Sequence, residues 1–100
     1  MDKNKVTPKS LIYLCSLLFP LSIFSQNIVT GTVVDDLNIP IPSANVFIED
    51  SERGTITDFN GNYSIELKEG EVLVFSYLGF KTKRITYEGQ SEINVSLESQ

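Results

Sequence analysis

The segment 57–63 carries the strongest turn signal in this 100-residue chain. Asp58 and Asn60 can each bond the backbone two residues further on, and Gly61 adopts a positive φ without steric cost. A strand-prone run, 54–57, precedes this turn, and an alternating run, 63–67, follows it. An Asn-Gly pair between two such runs is typical of a β-hairpin. We therefore predict that Asp58, Asn60 and Gly61 form a structural turn that fixes the register of the middle of the fold.

The remainder of the chain after residue 26 repeats this pattern of short strands and turns. Besides 54–57, the predicted strands are 28–34, 44–48, 62–67, 71–77, 81–86 and 93–97. Turn-forming residues separate them at intervals of roughly 8–12 residues, and no long stretch has helical periodicity. Seven short strands of this kind predict an all-β fold, a seven-stranded Greek-key β-sandwich.

The N-terminus has the pattern of a secretory signal. Lys3, Lys5 and Lys9 form a basic region, and residues 11–24 form an apolar one. Ser25 supplies a small residue for cleavage, so we predict a signal peptide at 1–25 and a β-sandwich domain at 26–100. The protein is therefore expected to be exported.

Two alternatives to a cleaved signal depend on the same residues. A retained membrane anchor is disfavoured because this region of 14 residues falls short of the roughly 20 that span a bilayer, and Pro20 would break the helix. A lipoprotein is disfavoured because Leu14, and not a small residue, precedes Cys15. Cys15 is the only cysteine and would be removed with the signal peptide, so the mature chain is expected to have no disulfide. The apolar region would be removed as well, so the mature chain is also expected to have no membrane span.

Charge and residue types exclude several functions. The mature chain would carry twelve acidic and five basic side chains, a net charge of −7, which disfavours nucleic-acid binding. The chain has no histidine, and with Cys15 removed it lacks the usual zinc ligands and general bases. The neighbouring carboxylates Asp35-Asp36 and Glu49-Asp50 point apart on extended chain, so neither makes an acid–base pair. We expect no enzymatic activity and no cofactor.

A calcium loop beginning at Asp58 is also disfavoured. Asn60, Asn62 and Glu69 occupy suitable spacings, but Tyr63 stands where the loop requires glycine. The residues that follow alternate as a strand, which cannot wrap around an ion. We therefore expect no metal site.

The run 72–77 is apolar on both faces. Leu73, Phe75 and Tyr77 form one row, and Val72 and Val74 form the other. One interpretation is a central strand whose outer valines are simply strand formers. The other is that a partner covers Val72 and Val74, together with Phe47, which points away from the predicted core. Phe47, Val72 and Val74 are thus the candidate docking surface, provided that their strands are neighbours, and strand addition at a sheet edge is the competing mode.

Five sequence blocks in this order resemble the carboxypeptidase regulatory-like domain. The blocks are 31–35 (GTVVD), 41–46 (IPSANV), 54–63 (GTITDFNGNY), 73–82 (LVFSYLGFKT) and 93–97 (INVSL). The resemblance implies a transthyretin-like (prealbumin-like) sandwich. The block 75–80 is similar to the N-terminal extension of TonB-dependent outer-membrane receptors of the starch-utilisation type.

That resemblance implies a role without chemistry. In such receptors the domain lies in the periplasm ahead of a plug and a barrel, and nutrient import belongs to the barrel. The implied partners are therefore the plug or barrel of a receptor, or a periplasmic energising protein. Because this sequence stops at Gln100, two interpretations remain: a receptor fragment, or a stand-alone exported binding module at the periplasm or cell surface.

Overall fold

A computed structural model describes residues 27–100. The predicted signal peptide, its cleavage after Ser25 and the start of the domain at residue 26 lie outside the described residues. They remain predictions.

Seven strands form two sheets within the described residues, which contain no helix. They are β1 (Asn27–Val34), β2 (Asn45–Ile48), β3 (Gly54–Ile56), β4 (Asn62–Leu67), β5 (Val72–Ser76), β6 (Lys83–Thr86) and β7 (Val95–Ser96). One sheet has the order β4-β1-β7 and the other the order β3-β2-β5-β6. The predicted all-β sandwich is confirmed.

The alternating residues of each strand place one row between the sheets. In β1 this row includes Val29 and Val33, and in β4 it includes Tyr63, Ile65 and Leu67. β1 pairs antiparallel with β4, and at its other edge it pairs parallel with β7. In this three-stranded sheet, the period-two pattern of the sequence therefore becomes an inner apolar face and a mostly polar outer face.

The hairpin prediction was wrong, although the turn itself is present. β3 pairs with β2 in one sheet, whereas β4 pairs with β1 in the other, so the turn at 58–61 connects the two sheets. The reason lies in long-range bonds: Thr57 N donates to Ala44 O at 3.0 Å, and Val33 N donates to Gly61 O at 2.8 Å. Each end of the turn is thus held by a different sheet.

The core contains one large residue that the sequence pattern placed in a turn. Tyr87 follows β6 directly and is 1% exposed, comparable to Phe75 at 0%. Its backbone N–H donates to Glu71 O at 2.8 Å, which continues the β5–β6 ladder by one pair. Tyr87 therefore belongs to the sandwich interior.

Five of the seven predicted strands are shorter in the structure, and β5 and β6 show the consequences. β5 ends at Ser76, and Tyr77, expected in the inner row, is 36% exposed and stacks at 6.1 Å from Phe80. β6 begins at Lys83 because Lys81 N donates instead to Glu98 O at 2.8 Å. The chain between β5 and β6 is thus attached to the C-terminal segment before it joins the sheet.

Candidate functional site

The turn at 58–61 is organised by the carboxylate of Asp58. Its Oδ1 accepts from Asn60 N at 2.9 Å and from Asn62 N at 2.9 Å. The backbone adds Gly61 N to Asp58 O at 2.9 Å and Asp58 N to Asn62 O at 2.9 Å. Asp58 therefore has the turn-forming role expected of both polar residues, while Asn60 takes part through its backbone N–H.

Gly61 is required in this turn for two separate reasons. Its φ is +79°, a conformation that residues with a Cβ rarely adopt. A Cβ at this position would also lie 2.6 Å from Val33 O and 3.1 Å from Pro40 Cβ. The turn is therefore packed directly against the end of β1.

The strands that carry the candidate docking residues are neighbours on one sheet. β2 and β5 pair antiparallel, and Phe47 lies directly opposite Val74. The structure therefore places Phe47, Val72 and Val74 on the outer face of the four-stranded sheet. This was the geometric condition for these residues to form one patch.

Val74 lies on that outer face but is not exposed, which corrects the expectation of an open valine row. Only 1% of Val74 is accessible, whereas Val72 is half-buried. Phe47 and Arg84 are its directly opposite neighbours on β2 and β6. Val74 is thus covered by side chains of its own sheet.

An ion pair also crosses β5, the strand that carries Val72 and Val74. Arg84 Nε donates to Glu49 Oε1 at 2.7 Å. Glu49 lies beside Val72, because its backbone N–H donates to Val72 O at 2.9 Å. The pair therefore spans β5 from β6 to β2 and borders the apolar surface on one side.

Ile56 extends this apolar surface and was missed in the sequence. It lies on β3 opposite Asn45, diagonal to Phe47, and is 57% exposed, against 36% for Phe47. Gly54 lies opposite Phe47 and contributes no side chain. We call Phe47, Ile56, Val72 and Val74 the outer-face patch. The alternation of residues along β3 indicates that Ile56 points away from the core. It does not indicate that Ile56 lies beside Phe47.

Other exposed apolar side chains lie away from this patch. They are Ile28, Leu37, Ile39, Phe59, Tyr77 and Leu78. Ile28 lies on β1 in the other sheet, and the rest lie in connections between strands. Isolated exposed apolar residues are common on protein surfaces. Among residues 27–100, the outer-face patch is where exposed apolar side chains lie on adjacent strands.

The electrostatics of the described residues indicate ordinary surface pairs. Arg53 pairs with Glu71, and Lys81 lies 3.5 Å from Glu98.

Burial raises the pKa of Tyr63, and the nearby carboxylate of Glu92 raises that pKa further. Tyr63 therefore stays protonated inside the sandwich, where it acts as a hydrogen-bond donor.

The part of the chain that the structure describes has no group of three or more acidic, histidine or cysteine side chains placed to hold a metal ion. In residues 27–100 we also find no helix with the length and hydropathy needed to cross a membrane.

Comparison with known proteins identifies the domain type. Residues 29–100 match the family model of the CarboxypepD_reg-like domain. TonB-dependent receptor P39 of Formosa agariphila is 35% identical over 98% of this chain, and receptor P26 of the same organism is 40% identical over 82%. TonB-dependent receptor SusC of Bacteroides thetaiotaomicron is 33% identical over 93% of this chain.

The chain spans only 8% to 10% of the length of these relatives. The similarity therefore concerns one domain of much longer proteins. Together with the two-sheet architecture, the match over residues 29–100 shows that this chain belongs to the CarboxypepD_reg-like domain family.

Proposed function

We propose that this chain is a non-catalytic docking domain of a TonB-dependent outer-membrane receptor, located in the periplasm and associated with nutrient import. The proposal is supported by the similarity to receptors that bear this name, P39, P26 and SusC. Import itself would belong to the remainder of such a receptor, because this chain corresponds to about a tenth of the relatives' length.

The observation that carries the docking role is the outer-face patch. Phe47 and Ile56 expose aromatic and branched aliphatic surface on adjacent strands, with Val72 half-buried nearby. The outer face of an antiparallel sheet is usually polar, as the other sheet illustrates with its exposed Asn62, Ser64 and Glu66. An apolar cluster on such a face is typical of a protein-binding surface.

The partner is the plug or barrel of the same receptor, or a periplasmic energising protein. A net charge of −7 on residues 27–100 disfavours a nucleic-acid partner. The Arg84–Glu49 pair beside the patch would form part of a polar rim around an apolar centre.

The test is the double substitution Phe47→Ser with Ile56→Thr in a full-length receptor that carries this domain. Ile56 is 57% exposed, whereas Phe47 is 36% exposed and lies opposite the buried Val74, so we expect the isolated double variant to melt at a lower temperature but to remain folded. Substrate-dependent growth should fall. The matched control is Ile28→Thr, since Ile28 is 62% exposed on the outer face of the other sheet and should leave growth unchanged.

Normal growth with a stably expressed double variant would contradict the proposal. Equal losses in the double variant and in the Ile28 control would also contradict it, because they would point to a general effect of surface polarity. Val72→Thr with Val74→Thr is a weaker test. Val74 is buried, so its substitution would add a hydroxyl group without an evident partner and would lower stability directly.

A further inference from the structure

The edge strand β6 concentrates the positive charge of an acidic domain. Residues 27–100 contain five basic side chains, and three of them, Lys81, Lys83 and Arg84, lie within four positions. Arg84 is paired with Glu49, and Lys81 has a loose contact of 3.5 Å with Glu98. Lys83 is exposed and has no ion pair among the described residues.

The backbone of β6 is open along its outer side. Tyr87 N donates to Glu71 O, so these two residues are joined by a hydrogen bond across the ladder. Hydrogen-bonded and non-hydrogen-bonded pairs alternate in an antiparallel ladder, so Ile85–Leu73 and Lys83–Phe75 are the next hydrogen-bonded pairs. Arg84 and Thr86 therefore direct their N–H and C=O groups away from β5. Among the described residues, neither takes part in a backbone hydrogen bond on that side.

The other sheet edges are less available. On β4, both backbone groups of Asn62 are bonded to Asp58, and Glu66 O accepts from Arg53 Nη1 at 3.5 Å. β3 has three residues and β7 has two. β6 is thus the edge on which two outward-facing residues, Arg84 and Thr86, lie beside the unpaired charge of Lys83.

The side chains along this edge select the kind of strand that would add to it. Lys83 lies on the same side of the sheet as Ile85, toward the other sheet, because residues two apart share a face. A neutral strand laid against β6 would desolvate Lys83 without a partner, which is one way in which edge lysines prevent aggregation. A strand with a carboxylate at that position would instead form an ion pair. The edge therefore rejects uncharged strands and favours acidic ones.

A groove borders the N-terminal end of β6. This groove of about 210 Å³ lies between Lys81, Thr82 and Lys83 on one side and Ser96, Leu97 and Glu98 on the other. Lys81 precedes β6 and is bonded through its backbone N–H to Glu98 O, so Lys83 is the lysine that an added strand would face.

We propose that the open edge of β6 accepts an extended acidic segment of a partner protein as an additional strand, with a carboxylate facing Lys83. This surface is separate from the outer-face patch. The binding mode is β-augmentation, in which backbone pairing contributes affinity and the alternating side chains contribute specificity.

The experiment uses three synthetic peptides and the chain purified after export from a Gram-negative host. The first peptide, acetyl-TETETET-amide, should bind and protect the backbone amides of Arg84 and Thr86 from hydrogen exchange. The second has the same charge but prolines in place of two threonines, and should fail to protect them. The third, acetyl-TKTKTKT-amide, should not bind. In the chain, Lys83→Glu should weaken binding of the first peptide by at least about tenfold.

The control variant is Lys68→Glu, which makes the same charge change at an exposed position in the turn after β4. It should alter the affinity by less than about threefold, because exposed charges at a distance are screened by salt.

Equal weakening by the two variants, or equal binding of the proline peptide, would reduce the effect to general electrostatics and overturn the proposal. Protection of Arg84 and Thr86 by self-association without peptide would also overturn it in favour of a second copy of the chain. Because the outer-face patch is unchanged in these variants, the outcome is independent of the proposed docking at that patch.

Discussion

Tyr63 on β4 donates a hydrogen bond from its hydroxyl to the backbone carbonyl of Ile93, at 2.6 Å, across the interior of the sandwich. The contact depends on Gly31 of β1, because a Cβ there would lie 1.8 Å from Ile93 O and 2.8 Å from the Tyr63 hydroxyl. Ile93 N in turn donates to Thr30 O at 2.9 Å. The tyrosine side chain thus passes over Gly31 of the central strand β1 and attaches the chain before β7 to the edge strand β4.

Tyr63→Phe should lower the free energy of unfolding by about 1–3 kcal/mol, because it leaves a buried carbonyl without its partner. It should also change the dependence of stability on pH. Burial raises the pKa of Tyr63, so above the usual value of about 10 the unfolded chain releases this proton while the folded chain retains it. Stability in the parent is then lost as pH rises above 10.

Chemical denaturation at pH 7 to 11 measures both effects. The difference in stability between the parent and Tyr63→Phe should shrink as pH rises above about 10, since the variant lacks this titration. A difference that stays constant across this range would show that Tyr63 does not ionise preferentially in the unfolded state.

Gly61→Val should destabilise the domain by about 3 kcal/mol or more, because a strained φ and a steric clash with Val33 O act together. Gly89→Val is the matched control: its φ is +102°, but nothing lies within 4 Å of the added Cβ. The control should lose only the strain, about 1–3 kcal/mol. Denaturation midpoints compare the two, and equal losses would mean that packing of the turn against β1 contributes nothing.

Thr57→Val should cost roughly 2–4 kcal/mol, although valine has nearly the same shape. The buried Thr57 hydroxyl donates to Ile41 O at 2.6 Å and accepts from Ala44 N at 2.8 Å, so valine leaves two buried backbone groups unpaired. Thr57→Ser keeps both bonds and should lose about 1 kcal/mol for the missing methyl group. If thermal melting shows the serine variant to be the less stable one, the hydroxyl does not have this role.

Phe75→Ala should cost about 3–5 kcal/mol, a large part of the stability of a domain of this size. Phe75 is fully buried and packs edge-on against Tyr63, with ring centroids 5.5 Å apart and planes at 72°. Phe59→Ala removes a ring that is 86% exposed and should stay within about 0.5 kcal/mol of the parent. A cooperative melt close to that of the parent for Phe75→Ala would be inconsistent with a core position.

Export should remove the signal peptide after Ser25, within about two residues. The mass of the protein recovered from the periplasm of a Gram-negative host, measured intact, checks this prediction. A mass that still includes residues 1–24 would contradict it.

The sequence by itself determined the local features of this protein. The alternation in residues 63–67 predicted which side chains of β4 are buried, and the same pattern placed Val29 and Val33 inside. The turn chemistry of Asp58 and Gly61 was also readable, since both act on backbone within a few residues. These features depend on neighbours in the chain, so the order of residues contains them.

Only the tertiary structure decided which strands are neighbours. β3 and β4 flank a turn with favourable residues, but β3 pairs with β2 and β4 pairs with β1. In these separate sheets their apolar side chains are better buried, and their backbone groups better hydrogen-bonded, than in a hairpin of β3 with β4. The same long-range pairing placed Ile56 diagonal to Phe47 and covered Val74 with Phe47 and Arg84. The composition of the outer-face patch depends on strand partners that are distant in sequence, and local patterns do not specify such partners.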